Sequence, residues 1–540
     1  MRDELLGEQR TAVAAAAAGV ALLLLISVLN LGGLALVAAT RRQLEHAMRI
    51  CLGASKRRLF VESAAEGAWV GIAASAIAVF TAWLLLPRLA SVLPIGLPSY
   101  VDLSLRMPLA LAIVGAAILC GIGAFAFGAA IAARAKPETL RSGVRATRAH
   151  GSLRKALVGG EIALGIALLA AALMLARSFA SIAALDPGYR VEETAVLDVE
   201  LPADRYEPGT ALAFGDRLLA LARATPGVEA AALSSDSPLS GDSSAHYVAS
   251  DRLEANPTRV YGHAISPGYF ATAGIRVVEG SEFASTDVAA SEPVAIVSAK
   301  LARKLWGDAR AVGQRLKRGA ATSEAPWMRV VGVVDDVRWR GVPEGPTADP
   351  DVFVPLAQAP RLGFSLLVHA RGEPLAVAQA VGAQLRSLDS DVPVYAVQTI
   401  AQRVHEATQI PRFLAGLGVT FSLVALLLSA LGIYAIAALD GAQRVRELAI
   451  RQAVGANDRA LRWLFVSEYG AIFVAAALVG IVALIPLSRL LATNLYGIGA
   501  LDPASLAGAV ALFMLALAAG IVAPLRRVTA VEPGILVRGD

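Results

Sequence analysis

Seven runs of apolar residues constrain this chain more than anything else in it: 12–39, 67–87, 107–133, 156–176, 413–439, 469–488 and 504–525. Each reaches the roughly 20 residues needed to cross a hydrocarbon core of about 30 Å. Lipid offers no partners to backbone N–H and C=O groups, so such runs must cross as helices. Composition agrees, with 56% hydrophobic and only 17% charged residues, where soluble chains are usually about 45–50% apolar. The first run is too long, and too polar at its far end, for a signal peptide, so it counts as a span.

Lys and Arg in short connections mark the cytoplasmic side. Segment 40–66 carries Arg41, Arg42, Arg49, Lys56, Arg57 and Arg58, and segment 134–155 carries Arg134, Lys136, Arg141, Arg145, Arg148, Arg154 and Lys155. Both are predicted inside. Connections 88–106 and 489–503 are nearly free of basic residues and are predicted outside. Alternation then places the N-terminus and residues 177–412 outside, with 440–468 and the C-terminus inside. Topology accounts for the sequence pI near 9.3, and no nucleic acid partner is needed to explain it.

Residues 180–410 are of a different kind. Runs such as VAIVS (294–298), RVVGVV (329–334) and DVFVP (351–355) read as short strands. TALAFGDRLLALARA (210–224) and SAKLARKLW (298–306) have helical spacing. The expectation is an α+β domain large enough for its own core or for two subdomains. The chain's two cysteines, Cys51 and Cys120, both lie outside this region, so no disulfide framework supports it.

The segment RELAIRQAVGANDR (446–459) has an echo in LEHAMRICLGASKR (44–57). At a constant offset of 402, Glu45, Ala47, Arg49, Gly53, Ala54 and Arg57 match Glu447, Ala449, Arg451, Gly455, Ala456 and Arg459. Arg10 meets Arg412, Leu29 meets Leu431, and Glu66 meets Glu468 at the start of the next span. Each copy runs span, charged helix, span, outer connection, span, basic tail. The first copy lacks counterparts of the 156–176 span and of the outer domain, so the duplication is asymmetric. On a helix, Arg42, Glu45 and Arg49 share one stripe, as do Arg444, Glu447 and Arg451, with each Glu four residues before an Arg. The other side is apolar around Met48 and Ile450, and a glycine follows where a helix C-terminus favours one. A short amphipathic helix of this kind can rest on membrane lipid, although a Glu kept among arginines in both copies suits anionic headgroups poorly.

The pattern E-x-A-[IM]-R-x-x-x-G-A between two spans, with a glutamate opening the next span, resembles the coupling-helix region of MacB/FtsX-type ABC transporter permeases. ISPGYFATAGIRVVEGSEF (265–283), PVAIVSAKLARKLWG (293–307), AVGQRLK (311–317) and MRVVGVVDDVRWRG (328–341) are similar to the MacB-type periplasmic core domain. Residues 157–179 are similar to the span that opens such a unit. The resemblance covers nearly the whole chain and looks like a duplicated orphan permease with its first span and first outer domain missing, whether by a misassigned start or a lost front. It implies a polytopic α-helical membrane protein of two pseudo-repeated bundles with one large α+β periplasmic domain. The implied divisions are 1–135 (first permease domain, coupling helix about 41–54), 136–155 (basic linker) and 156–179 (opening span). They continue with 180–410 (periplasmic core) and 411–540 (second permease domain, coupling helix about 443–456).

The family's mechanism would have a cytoplasmic ABC ATPase dimer grip the coupling helices, here Arg42, Glu45, Arg49, Gly53 and Ala54 with Arg444, Glu447, Arg451, Gly455 and Ala456. ATP binding would then tilt the spans and move the outer domain, which would act on a substrate or a periplasmic adaptor in the inner membrane's outer compartment. The spans fit, because apart from Glu161 near one end of its span and Glu66 and Glu468 at span starts they hold nothing ionisable, unlike a proton or ion path. No Gly-Lys dipeptide occurs, which excludes a P-loop. The six scattered histidines offer no zinc spacing, and neither a cofactor nor a catalytic set is expected. Asp335 with Asp336, and Asp389 with Asp391, read as turn residues. An FtsX-like regulatory scaffold and an inactive truncated product stand as alternative readings.

Overall fold

The structure, a computed structural model, describes residues 2–42, 45, 48, 49, 52–90, 105–132, 144–240, 244–251, 257–341, 349–453, 457–492, 495–499 and 501–529. In chain order come α1 (Arg2–Arg41), α2 (Lys56–Ala90), α3 (Met107–Ala132) and α4 (Val144–Ala183). Next are β1 (Thr194–Glu200), α5 (Pro208–Ala224), β2 (Val228–Ser234), β3 (Ser244–Ser250), β4 (Thr258–Ile265), α6 (Tyr269–Ala273), β5 (Val277–Gly280) and β6 (Val294–Ser298). They are followed by α7 (Ala299–Trp306), β7 (Arg315–Arg318), β8 (Trp327–Val334), β9 (Asp351–Pro355), β10 (Gly363–Ala370), α8 (Pro374–Leu385), β11 (Val394–Thr399) and α9 (Ile400–Ala407). The chain closes with α10 (Gln409–Ala453), α11 (Asp458–Leu491) and α12 (Pro503–Thr529). It forms two compact units, Met1–Ala180 with Ile410–Asp540, and Ser181–Gln409.

Among the described residues seven helices are long and apolar enough to cross a membrane: α1 to α4 and α10 to α12. Helix α4 is the spine of the first unit. Of its most apolar stretch 72% is buried, against 11% for α2, whose Trp69, Ile77 and Trp83 are exposed. Ion pairs fasten α4 near both ends, Lys155 to Glu468 and Arg177 to Asp502. Within lipid the hydrophobic effect does not drive helices together, so close contact relies on small residues. A Cβ on Gly67 would stand 2.3 Å from the carbonyl oxygen of Gly121, and one on Gly71 would stand 2.7 Å from that of Ala117. These contacts join α2 to α3. In the second copy, Tyr469 and Phe473 occupy the positions equivalent to Gly67 and Gly71. Both rings are buried in a cluster with Val158, Ile162 and Ile166 of α4, and Gly480 brings α11 onto the Ala163 carbonyl, 2.6 Å from its would-be Cβ. The two copies thus share helix order but differ in packing, because bulky side chains turn α11 toward α4. Near Gly432 of α10, its missing Cβ leaves room for Glu161 Oε2 and Asn30 Oδ1, and Asn30 Nδ2 donates to the Leu428 carbonyl at 2.9 Å.

The second unit has two parts. An antiparallel sheet of order β11-β1-β10-β2 carries α5 and α8 on one face, where Phe214, Leu218 and Val381 pack against Leu197 and Leu366. The remaining path runs β4-β3-β7-β8-β6-β9, and β9 also pairs in parallel with β4. That pairing closes a six-stranded barrel, with β5 attached to β8. A single residue pair, Ser234 with Ile265, links sheet to barrel through β2 and β4.

Gly67→Leu is expected to destabilise the membrane unit by roughly 1–3 kcal/mol or more, as overpacking does. Gly115→Leu, at a helical position with open space around its would-be Cβ, should be near neutral. Thermal unfolding of the two detergent-purified variants checks this contrast.

Candidate functional site

The first charged segment is held by a ladder of ion pairs. Arg42 meets Glu66 at 2.5 Å, Arg49 meets Glu45 at 2.6 Å and Glu62 at 3.0 Å, and Arg58 meets Glu62 at 3.3 Å. All are exposed or partly exposed, so each is worth at most about 1 kcal/mol. Together they orient the segment on the first turns of α2. Glu45 and Arg49 therefore satisfy each other instead of standing open to a partner. Glu45, Met48 and Arg49 are helical. Gly53 takes φ +95°, and the Ala54 N–H donates to the Arg49 carbonyl at 2.9 Å, the closure that a left-handed glycine after a helix permits. Leu52, 88% exposed, and Met48, 54% exposed, project from this end. Glu62 and Leu52 had no counterpart in the repeat to draw attention to them.

The second segment departs from expectation. Residues 443–453 form no separate short helix but continue α10, which runs unbroken to Ala453. The only breaker on the way is Gly441, and one helical glycine costs only about 1 kcal/mol. Arg444 and Glu447 lie within this helix, Arg451 is exposed, and Gly455 and Ala456 lie outside the described residues. One equivalence escaped the sequence comparison. Ser55 Oγ accepts from the Arg58 N–H at 3.3 Å and Asn457 Oδ1 from the Ala460 N–H at 2.8 Å. Both repeats therefore begin their second span with an N-cap of the favoured type. Glu66 and Glu468 each hold a cation, but from different helices, Arg42 and Lys155.

The carboxylates flagged as turn residues all have structural partners. Asp335 binds Arg276, Asp336 accepts from the Lys300 N–H at the start of α7, and Asp389 binds Arg205 and Tyr206. Among the described residues no group of three or more His, Cys, Asp or Glu could hold a metal ion.

The second unit contains a buried polar clamp built on the loop after β2. His263, fully buried, places Nδ1 3.2 Å from Asp236 and Nε2 3.2 Å from Asp351. Its ring stacks on Trp339 at 3.9 Å. Burial alone would push His263 down, yet the hydrogen bonds to Asp236 and Asp351 hold its pKa above the ordinary value. An imidazolium can donate to both carboxylates at once; a neutral ring cannot. Of the two chain segments that border this unit, one meets this loop directly and the other meets Arg338 and Trp339 beside it. After α4, Tyr189 packs its ring against Trp339, and the Arg338 N–H donates to the Pro187 carbonyl at 3.1 Å. Before α10, Arg403 on α9 pairs with Asp198 at 2.6 Å and donates to the Pro238 carbonyl at 2.9 Å and to Ser237 Oγ. The Leu239 N–H donates to the Trp339 carbonyl at 2.7 Å. Residues 236–239 and Trp339 together thus connect both segments. Sequence spacing could not reveal this, because its members come from seven separate places in the chain.

Seven membrane-length helices with an α+β domain inserted between the fourth and fifth define a multi-pass membrane permease. Residues 162–388 match the MacB-like periplasmic core domain, and residues 17–137 and 419–533 match the FtsX-like permease C-terminal domain. The chain belongs to the MacB/FtsX-type ABC transporter permeases. It is 26% identical over 223 residues to the macrolide export ATP-binding/permease protein MacB of Chromobacterium violaceum, covering 39% of this chain and 33% of that protein. It is 28% identical over 225 residues to MacB 1/2 of Paracoccus denitrificans, covering 40% and 32%. The chain therefore spans about a third of the length of these curated relatives, and the parts matched are permease parts. The periplasmic region of MacB from Actinobacillus actinomycetemcomitans aligns at 14% identity and TM-score 0.29, covering 41% of this chain and 95% of that one. The extracellular domain of the transporter YknZ from Gram-positive bacteria aligns at 16% and 0.27, covering 37% and 100%.

His263→Leu should destabilise the periplasmic unit by about 3–5 kcal/mol, the cost of leaving buried charges unpartnered. Because the folded pKa is raised, this contribution is fully present below the unfolded value of about 6.5 and is lost as pH rises through the folded one. Thermal unfolding of wild type and variant at pH 6 and pH 9 should give a wide gap at pH 6 and a narrower one at pH 9.

Proposed function

We propose that this chain is the permease of a mechanotransmission transporter, in which a separate cytoplasmic ABC ATPase dimer drives movement of the periplasmic domain to export or extract a substrate. The orientation follows the basic loops: residues 40–66, 134–155 and 440–468 face the cytoplasm, and 180–410 face the periplasm. The two repeated segments, one in each permease domain, would offer equivalent contacts to the two ATPase subunits. Arg42, Glu45 and Arg49 would shape the first contact through their ion pairs, Gly53 and Ala54 would close it, and Met48 with Leu52 would supply the apolar surface that enters a groove. Arg444, Glu447, Arg451, Gly455 and Ala456 would play the same part on the second side. Because α10 is one continuous helix from Gln409 to Ala453, a displacement at its charged end would be carried along the whole span.

The observation that most favours this reading is the clamp on residues 236–239. A domain moved by its two connecting segments needs both gripped by a rigid element. Here Arg403 engages residues 237 and 238 directly, and Tyr189 reaches the same loop through Trp339, whose carbonyl accepts from the Leu239 N–H. A scaffold that only presents a binding surface has no such requirement.

The test is co-purification and stimulated ATP hydrolysis with a candidate ATPase. Variants are Leu52→Asp, Glu45→Lys, Glu447→Lys and the double charge reversal. Each single change should weaken association by about tenfold, or about 1.4 kcal/mol, and the double reversal by more. Unchanged association in both Leu52→Asp and the double reversal, with the protein correctly inserted, would show that these segments rest on lipid.

A further inference from the structure

The closed barrel of β3, β4, β6, β7, β8 and β9 is filled at its centre and open at one end. Strand alternation sorts its side chains. Val248, Val260, Leu316, Val330 and Val352 are buried in the barrel core. Two positions further toward one end on each of these strands stand His246, Gly262, Arg318, Met328 and Val354, and these line a cavity of about 380 Å³. Pockets for small molecules commonly occupy roughly 300–1,000 Å³ and favour the mouths of β-barrels. The walls are built. Gln358 accepts from the Val294 N–H at 3.2 Å and donates to Ser291 Oγ and the Glu292 carbonyl at 3.1 Å each, fixing the segment before β6. Gly262 makes space for the His246 ring, which would lie 2.1 Å from a Cβ there.

The cavity's chemistry is two-sided. Ala264, Met328, Val352 and Val354 give it an apolar interior, while Arg318 and Arg361 stand exposed on its lining, which includes no carboxylate among the described residues. Several exposed arginines elsewhere in this unit have acidic partners, as Arg276 has Asp335, Arg303 has Asp336, Arg310 has Glu279 and Arg371 has Glu229. Among the described residues Arg318 and Arg361 are in no such pair. We infer that the barrel mouth binds a small amphiphile with one anionic head, its chain against the valines and methionine and its carboxylate or phosphate held by Arg318 and Arg361. Guanidinium groups suit either head through paired hydrogen bonds. The site lies wholly within the periplasmic unit and would bind without an ATPase, so it goes beyond the coupling role and can fail separately from it.

The test uses the full chain in nanodiscs of zwitterionic lipid, titrated calorimetrically with octanoate, octyl phosphate, octanol and inorganic phosphate against empty nanodiscs. Octanoate or octyl phosphate should bind one per chain, the tighter of the two identifying the head group. Octanol should bind about tenfold more weakly, and inorganic phosphate should give no saturable heat. The double variant Arg318→Gln with Arg361→Gln, both at exposed positions, should lose about tenfold for the anionic ligands and nothing for octanol. Ala359→Phe, which fills the cavity, should lose both. The inference is overturned if neither anionic amphiphile binds above empty nanodiscs, if phosphate alone binds as well as they do, or if the double arginine variant binds them like wild type.

Discussion

A fully buried imidazole between two carboxylates holds the part of this protein on which everything else depends. Charges removed from water are costly unless they are paired and hydrogen-bonded. His263, Asp236 and Asp351 meet that condition only when β2, β4 and β9 are in register. The same condition fixes Trp339 over the ring and the loop 236–239 beside it. The chain enters and leaves the periplasmic unit through residues secured to this pair of elements, Tyr189 and Pro187 to Trp339 and Arg338, and Arg403 to the loop. A domain whose two tethers share one rigid anchor moves as a body when its tethers are pulled. That mechanical property suits the coupling to a separate ATPase proposed above.

The membrane unit shows how a duplicated sequence departs from duplicated packing. Gly67 and Gly71 let α2 lie directly on α3, while Tyr469 and Phe473 at the equivalent places send α11 toward α4. In lipid the choice between these arrangements rests on side-chain volume and close contact, because apolar surface is satisfied either way. The burial of helix α4 and its ion pairs near both ends make it the partner that the second copy packs around.

Much of the fold was legible because its constraints are local. Lipid thickness sets span length, so all seven spans stand out as apolar runs. VAIVS and DVFVP coincide with β6 and β9 as short apolar runs buried on both faces, and TALAFGDRLLALARA lies within α5 because its helical spacing reports the buried face. What could not be read depends on distant partners. Closure of the barrel rests on β4 pairing with β9, some ninety residues on, with nothing in either strand to announce it. The clamp at residues 236–239 and the cavity beside Arg318 are assembled by that same closure. In the charged segments, the stripe formed by Arg42, Glu45 and Arg49 was visible, but not that Glu62 and Glu66 of the next helix would absorb much of its charge. A charged amphipathic stretch reads as a separate element, yet α10 continues through Arg444 and Glu447, because the single Gly441 is too weak a breaker to interrupt it.

In the proposed mechanism, nucleotide state on the cytoplasmic side changes the position of the periplasmic unit. Spin labels at Tyr247→Cys in that unit and Met107→Cys at the start of α3, in a background with Cys51 and Cys120 replaced by Ser, allow the distance to be measured by pulsed electron spin resonance. The sample is the nanodisc complex with its ATPase partner. The account predicts one distance distribution without nucleotide, a shifted one with ATP and a hydrolysis-deficient ATPase, and a return to the first when ATP is removed. Distributions that superimpose in every nucleotide state, while the ATPase remains bound and active, would contradict it.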